Sequence, residues 1–191
     1  MITDNSQNVM TERQFDDALA CCRELFAKKL HDYGAAWRVL RPASLTDQIF
    51  IKAQRIRSLQ TKGQSQVGEG ILPEFIGIVN YGLIGLIQLE LPMTESADIT
   101  AGQALEMYDR KAAMARELML AKNHDFDEAW RSMRVSSYVD LILMKILRTR
   151  QIEDLHGATL VSEGIDANYL DMVNYSVFGI IKLTETGDDA V

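Results

Sequence analysis

Histidine and aspartate stand side by side twice in this chain, and Ala-Trp-Arg follows both pairs at the same distance. The pairs are His31-Asp32 and His124-Asp125. A histidine near a carboxylate can act as a general acid–base group, or as a metal ligand held by a supporting carboxylate. At a helix end, the same residues can instead interact with the helix dipole and cap the next turn. All four are therefore candidate catalytic residues, with the structural alternative open.

A second repeated pattern is Lys-x-x-Arg, which begins at Lys52 and again at Lys145. Residues at this spacing share one helix face. Arginine offers a planar fork to phosphate and lysine a point charge, and a further arginine follows each tryptophan. Ion pairs that only fix the helices explain the same pattern. The candidate phosphate ligands are Lys52, Arg55, Lys145, Arg148, Arg38 and Arg131.

Tryptophan and asparagine side chains are candidates for contacts with the rest of a ligand. Trp37 and Trp130 are the only tryptophans. An indole can stack on a nucleobase, although tryptophan is more often part of a core. Asn80 and Asn174 lie in apolar stretches, where an amide must find partners. They either hold a helix to a neighbouring loop or read the polar edge of a ligand.

All these residues belong to one long internal repeat. A shift of 93 positions aligns Asp16 with Asp109 and Arg23 with Arg116, and one later insertion makes the shift 94. Two copies of about 75–80 residues indicate a duplicated domain with a pseudo-twofold axis, because a solenoid needs three or more repeats. We predict one globular domain over residues 1–191. Copy 1 is expected at about 12–91, the linker at about 92–100 and copy 2 at about 101–184.

Apolar residues recur at helical spacing throughout both copies, which predicts an all-α fold of about six helices, three per copy, without strands. The first helices are expected at about 12–30 and 101–122, and the second at about 45–60 and 138–152. The third helices follow Glu69-Gly70 and Glu163-Gly164 and are apolar on nearly all sides. Glycines at equivalent positions, Gly85 and Gly179, predict that the third helices pack closely against each other.

Composition limits the classes of function. Hydrophobic residues form 47% of the chain, enough for a core, and the net charge is −7. Binding to a nucleic-acid duplex is not expected, because it needs a basic face. The adjacent Cys21 and Cys22 are interpreted as small core hydrophobes of a reduced, cytosolic protein.

One stretch, residues 71–89, is long and apolar enough for a membrane span. Its counterpart, residues 165–183, carries several charged and amide side chains. Since two copies of one element should share an environment, both are predicted to be buried helices of a soluble protein. The first residues show no signal peptide. We expect a cytoplasmic location and no membrane partner.

Charges that occur in both copies differ from those of the whole chain. Seven matched pairs of residues are basic, among them Arg57/Arg150, and five are acidic, among them Asp47/Asp140. The shared framework is therefore net basic in an acidic protein. This pattern predicts an anion site, with phosphate as the simplest ligand.

The order His-Asp-Tyr-Gly-x-x-Trp, Lys-x-x-Arg, Glu-Gly and Val-Asn-Tyr resembles the first of the nucleotide-modification-associated domain families of bacteria and phages. The resemblance spans about residues 14–184. It implies a helical protein with a phosphate-bearing ligand and no settled reaction. A more distant similarity is to the all-α nucleotide pyrophosphatases, which hold Mg²⁺ with Glu-x-x-Glu and Glu-x-x-Asp. Neither copy contains Glu-x-x-Glu. The remaining metal-ligand candidates, if they converge, are the matched pairs Glu24/Glu117, Asp32/Asp125 and Glu69/Glu163.

Two hypotheses follow. In the first, the protein binds a nucleotide and hydrolyses or modifies it, with or without Mg²⁺. In the second, it is a non-enzymatic helical interaction module whose repeated residues hold the fold. The ligand, the reaction and the oligomeric state stay open at this point.

Overall fold

Six α-helices make up most of the protein. The computed structural model describes residues 3–63, 70–161 and 163–187, with side chains from residue 9. The helices are α1 (Thr3–Tyr33), α2 (Pro42–Lys62), α3 (Leu72–Gln88), α4 (Ala101–Phe126), α5 (Val135–Asp154) and α6 (Ile165–Thr186). Short 3-10 helices, Ala36–Val39 and Ala129–Ser132, follow α1 and α4. The described ranges contain no strand, which confirms the predicted all-α class and three main helices per copy.

Local chemistry sets the helix ends, which differ in places from the predicted ones. The helix α2 begins at Pro42, because proline lacks an amide hydrogen and fits a first turn. It ends at Gly63, whose φ of 70° is left-handed. The side chain of Thr100 caps α4 by accepting a hydrogen bond from the backbone of Gln103. The helix α1 begins at Thr3, well before its predicted start.

The two apolar third helices form the centre of the fold. The helix α3 packs against α6, with α2 beside α3 and α5 beside α6, while α1 and α4 cover the outside. A Cβ atom on Gly85 would lie 2.9 Å from the ring of Tyr169. The reciprocal contact joins Gly179 and Phe75, where a Cβ would lie 2.8 Å from the ring. The predicted close packing of these helices across the pseudo-twofold is confirmed.

Ion pairs between the halves obey the same symmetry. Arg23 pairs with Asp109 at 2.6 Å, and the equivalent Arg116 pairs with Asp16 at 2.6 Å. A second reciprocal set joins Arg57 to Asp140 and Arg150 to Asp47. Pairs as exposed as these contribute about 0–1 kcal/mol each. Part of the repeated charge thus joins the two halves and is not available to a ligand.

The cysteines differ from their predicted interpretation. Cys22 is buried, and burial raises the pKa of its thiol. Cys21 is exposed, so the interpretation as a core hydrophobe holds for Cys22 alone; successive residues of a helix point in different directions. Across the described ranges, every helix is too short or too polar to cross a membrane.

Candidate functional site

A cavity of about 540 Å³ lies in the first half, between the end of α1, the short helix after it, and α3. Aromatic side chains of Phe26, Tyr33, Trp37 and Tyr81 contribute to its wall. Small-molecule pockets typically measure about 300–1,000 Å³ and are mostly apolar. Partial burial raises the pKa of the Tyr33 hydroxyl, and a phenol is in any case a hydrogen-bond donor at neutral pH. The cavity has the size and lining of a small-molecule site.

Two lysines give this cavity its charge. Lys52 lies 3.3 Å from the Glu74 carboxylate, which Arg55 also contacts. Lys29 lines the cavity from α1 and makes no ion pair with any described residue. Glu74 is the only carboxylate among the described residues that line the cavity. The lining therefore presents more positive than negative charge.

Two polar side chains that line this cavity, Asn80 and Trp37, differ in whether they already have hydrogen-bond partners. The Asn80 amide donates to the Cys22 carbonyl oxygen at 3.2 Å and accepts a bond from the Tyr108 hydroxyl at 2.7 Å. It holds α3 to α1 and α4. The indole Nε1 of Trp37 is buried and has no hydrogen-bond partner among the described residues. Trp37 therefore has the freer polar group for a ligand in this half.

An equivalent cavity of about 360 Å³ lies in the second half. Lys122, Trp130, Asn174 and Tyr175 line it at positions equivalent to Lys29, Trp37, Asn80 and Tyr81. Burial is the main cause of a raised pKa at Tyr175, to which the negative charge of Asp171 adds. The duplication thus gives each half a cavity in the same place.

One substitution separates the charges of the two cavities. Asp171 of α6 occupies the position of Gly77 in α3. Its carboxylate lies 2.5 Å from Lys122 and 2.6 Å from Lys145. In the first half, a Cβ on Gly77 would lie 2.4 Å from Cε of Lys52. Lys52 thus fills the space that the aspartate takes in the second half, where the carboxylate binds both lysines.

Neighbouring side chains pack against the indole ring of Trp130. The ring stacks on Phe178 with centroids 4.3 Å apart, and the Arg131 guanidinium lies 4.4 Å from its centroid. Two groups at these distances cannot share one face, so both faces are covered. The predicted stacking of a base on Trp130 has no free surface here. Its indole Nε1, buried and without a partner among the described residues, is the part that a ligand can use.

The His-Asp pairs lie at the exposed ends of α1 and α4. Nδ1 of His31 is 3.4 Å from Asp32, and Nδ1 of His124 is 3.2 Å from Asp125. Each histidine therefore faces its own neighbour, although adjacent residues do not usually do so. Both histidine side chains are about 90% exposed, and neither pair lines either of the two equivalent cavities. Their catalytic role stays a prediction.

Arg38 is occupied by the linker between the halves. Its side chain is 1% exposed and donates to Asp98 at 2.7 Å, to the Pro92 carbonyl at 2.8 Å, and to Gln88. The bond with Arg38 lowers the pKa of Asp98. Its contacts place Arg38 outside the cavity lining, and we leave it out of the proposed site.

Arg131 and Arg148 are likewise directed elsewhere. Arg131 donates to Thr11 at 2.5 Å and to Gln14 at 2.6 Å, which ties α1 to the second half. Arg148 lines a different surface groove, beside Leu155. Neither lines the second cavity. Of the predicted phosphate ligands, only Lys52 lines either of the two equivalent cavities. Arg55 and Lys145 each contact a carboxylate that lines one of them.

The metal prediction finds no cluster to support it. Glu163 is exposed, and Glu69 lies outside the described residues. Within the part of the chain that the structure describes, no three His, Cys, Asp or Glu side chains come together as a metal site. A role for Mg²⁺ stays a prediction.

Lys29 and Lys122 are the cavity residues that sequence reasoning did not select, although they form a matched pair. The available signal was their spacing. Lys29 stands four residues before Tyr33, and Lys122 four before Phe126, so each shares a helix face with an aromatic residue of the motif.

The fold and cavities define a class, the duplicated all-helical proteins with equivalent ligand-sized cavities in the two halves. A family model described as nucleotide modification associated domain 1 matches residues 29–89 and again residues 122–183. Together these regions exceed half of the chain, and the protein belongs to this family. Each match begins at the cavity lysine of its half. Neither the curated proteins nor the solved structures contain a significant match, and the similarity to nucleotide pyrophosphatases is not shown.

Proposed function

We propose that the first-half cavity binds a nucleotide, with Lys29 and Lys52 holding its phosphate. The observation that carries this proposal is that Lys29, which makes no ion pair with any described residue, lines the same aromatic cavity as Lys52. A lysine without a carboxylate partner can meet a phosphate without first breaking an ion pair. The family, described by its association with nucleotide modification, supports this choice of anion.

The rest of the cavity fits the apolar part of such a ligand. A volume of about 540 Å³ lies within the range of small-molecule pockets. Tyr33 and Tyr81 offer ring faces to a base, and the Trp37 N–H offers a donor. Hydrolysis or chemical modification of the nucleotide stays a prediction, since the exposed His-Asp pairs lie outside this lining.

The competing function, a non-enzymatic interaction module, also has an observation in its favour. Eight of the repeated charged residues form the reciprocal ion pairs between α1 and α4 and between α2 and α5. Those residues hold the two halves of the fold together. Lys29 and Lys52 of the cavity do not belong to that set. They bind phosphate if the protein binds a nucleotide, and they have no ligand to bind if it is an interaction module.

Thermal-shift measurements with nucleoside mono- and triphosphates, with and without Mg²⁺, test the proposal. A bound nucleotide should raise the melting temperature with increasing concentration. Lys29→Ala should remove this rise with little effect on the ligand-free protein, because the side chain is exposed and makes no ion pair in the part of the chain that the structure describes. Lys28→Ala is the matched control, since Lys28 pairs with Glu24 and lies outside the lining. A nucleotide effect that survives Lys29→Ala, or no effect with any nucleotide, would contradict the proposal.

A further inference from the structure

A hydrogen bond that is present in one half is missing from the other. In the first half, the Tyr108 hydroxyl donates to Oδ1 of Asn80 at 2.7 Å, and Nδ2 of Asn80 donates to the Cys22 carbonyl. The sequence repeat makes Phe15 the counterpart of Tyr108, and Asn174 the counterpart of Asn80. Phenylalanine has no hydroxyl, so the equivalent donor does not exist for Asn174.

Asn174 is a buried amide without a hydrogen-bond partner among the described residues. It is 5% exposed, and neither Oδ1 nor Nδ2 has a hydrogen bond to any described residue. An unsatisfied buried polar group is unfavourable, and a native structure usually supplies a partner, whether protein, water or ion. Asn174 lines the second cavity, and so does Trp130, whose Nε1 also lacks a partner. Three polar atoms of one cavity thus have no partner within the described chain.

The chemistry of these atoms defines what fits them. The amide of Asn174 presents an acceptor and a donor side by side, and the Trp130 indole adds a second donor. A heterocycle with an adjacent donor and acceptor on one edge, such as a nucleobase, is complementary to this set. The ring surfaces of Phe126 and Tyr175 lie along the same cavity and can pack against the plane of a base.

The charge of the cavity argues against a phosphate on the same ligand. Asp171 is 5% exposed and contacts both Lys122 and Lys145. An incoming phosphate would have to displace this carboxylate from the lysines, or leave it buried beside a second anion. In the first cavity, a phosphate could reach Lys29 without displacing a carboxylate of any described residue.

We propose that the second-half cavity binds an uncharged nucleobase-containing ligand, a nucleoside or a free base, through Asn174 and the Trp130 N–H. The inference rests on the proposed function, because it takes the two cavities as diverged copies of one nucleotide pocket. The first half keeps a phosphate site and has a satisfied asparagine. In the second half, Asp171 neutralises the lysines of that site, and Asn174 has no hydrogen-bond partner among the described residues.

The test uses the full chain carrying Trp37→Phe, so that Trp130 is the only tryptophan. Adenosine, guanosine, cytidine, uridine and their free bases are titrated while Trp130 fluorescence and the melting temperature are recorded. At least one nucleoside or base should give a saturable change. Its 5′-monophosphate should give a change at this site about tenfold weaker or more.

Two variants assign the effect to the amide. Phe15→Tyr supplies the missing hydroxyl and should weaken nucleoside binding about tenfold or more, because the hydroxyl competes for Oδ1. Asn174→Leu should abolish binding, and it keeps the test valid if Phe15→Tyr does not fold. Tyr108→Phe is the control: it makes the reverse exchange at the equivalent position of the other half, outside the second cavity, and nucleoside binding at Asn174 should persist.

Three outcomes would overturn the inference: no change with any nucleoside or base at millimolar concentration, which leaves water as the partner of Asn174; binding insensitive to both variants; or equal binding of the 5′-monophosphate at Trp130. Each is distinguishable from failure of the proposed function, which is measured at the first cavity. Nucleotide binding that depends on Lys29 can persist while nucleoside binding at Asn174 fails.

Discussion

The ring of Tyr169 in α6 occupies the place where a side chain on Gly85 of α3 would lie. A Cβ on Gly85 would stand 2.9 Å from that ring. The ring is itself fixed, because the Tyr169 hydroxyl lies 2.8 Å from Oγ1 of Thr46 and donates to the Pro42 carbonyl at 3.2 Å. The contact between the two central helices thus depends on both residues and on their anchor in α2.

Gly85→Ala should therefore destabilise the protein. Alanine gains helix propensity of about 1 kcal/mol, but the clash with an anchored ring typically costs about 1–3 kcal/mol, and we expect the loss to be larger. Gly102→Ala is the control, since its nearest neighbour would be 3.9 Å away and the change should be neutral or stabilising. Urea unfolding measures both. A Gly85→Ala protein as stable as Gly102→Ala would show that the helices separate without cost.

Tyr108→Phe should lower the free energy of unfolding by about 1–3 kcal/mol, because it leaves Oδ1 of the buried Asn80 without its donor. Tyr33→Phe is a suitable control, as Tyr33 is 57% exposed and water can replace its bonds. Chemical denaturation of both variants gives the comparison. Equal stability of the two would mean that Oδ1 of Asn80 gains another partner when the hydroxyl is removed.

The fold was predictable because its signals are local and repeated. The long apolar pattern of α3 and α6, with Gly85 and Gly179 in equivalent places, was enough to place these helices together. The first helix was predicted too short, since no strong start signal stands at Thr3 and its first residues are polar. The two families of ion pair between the halves follow the repeat, but their partners could not be assigned without the packing.

The site was less predictable because its contacts join residues far apart in sequence. Lys52 and Lys145 are equivalent, yet their carboxylates are not: Glu74 serves the first and Asp171 the second, from positions one turn apart on equivalent helices. The difference between Gly77 and Asp171 was visible in the sequence, but its effect on two lysines was not. Arg38 was predicted to be a ligand residue because the partners that occupy it lie 50 to 60 residues away in the sequence. They are Gln88 at the end of α3, and Pro92 and Asp98 in the linker.

Glu153 should make stability depend on pH. Burial raises the pKa of its carboxyl, and the hydrogen bond from Thr46 only partly opposes this. A raised pKa in the folded state means stability that is present below the unfolded pKa and lost as pH rises through the folded one. Glu153→Gln, which still accepts the bond from Thr46, should therefore be more stable than the parent at neutral pH and equal to it in acid.

The matched control for this effect has the opposite sign. The ion pair with Lys28 lowers the pKa of Glu24, so Glu24 contributes stability above its unfolded pKa that is lost as pH falls. Glu24→Gln should be slightly less stable than the parent at neutral pH and equal in acid. Thermal melts from acid to neutral pH measure both variants. Parallel pH profiles for Glu153→Gln and the parent would contradict the prediction.

Gly77→Asp should move the charge arrangement of the second half into the first. The new Cβ meets only the flexible end of Lys52, which can shift. The new carboxylate would take the position in the first half that is equivalent to Asp171, which binds Lys145 and Lys122 in the second half. The affinity for nucleoside monophosphates should fall about tenfold or more, because an anion must then displace the carboxylate. Gly77→Asn has the same size without the charge and should lose less. Titration calorimetry on both variants separates the causes: equal losses would mean that the side chain blocks the cavity by volume, and the argument from charge would fail.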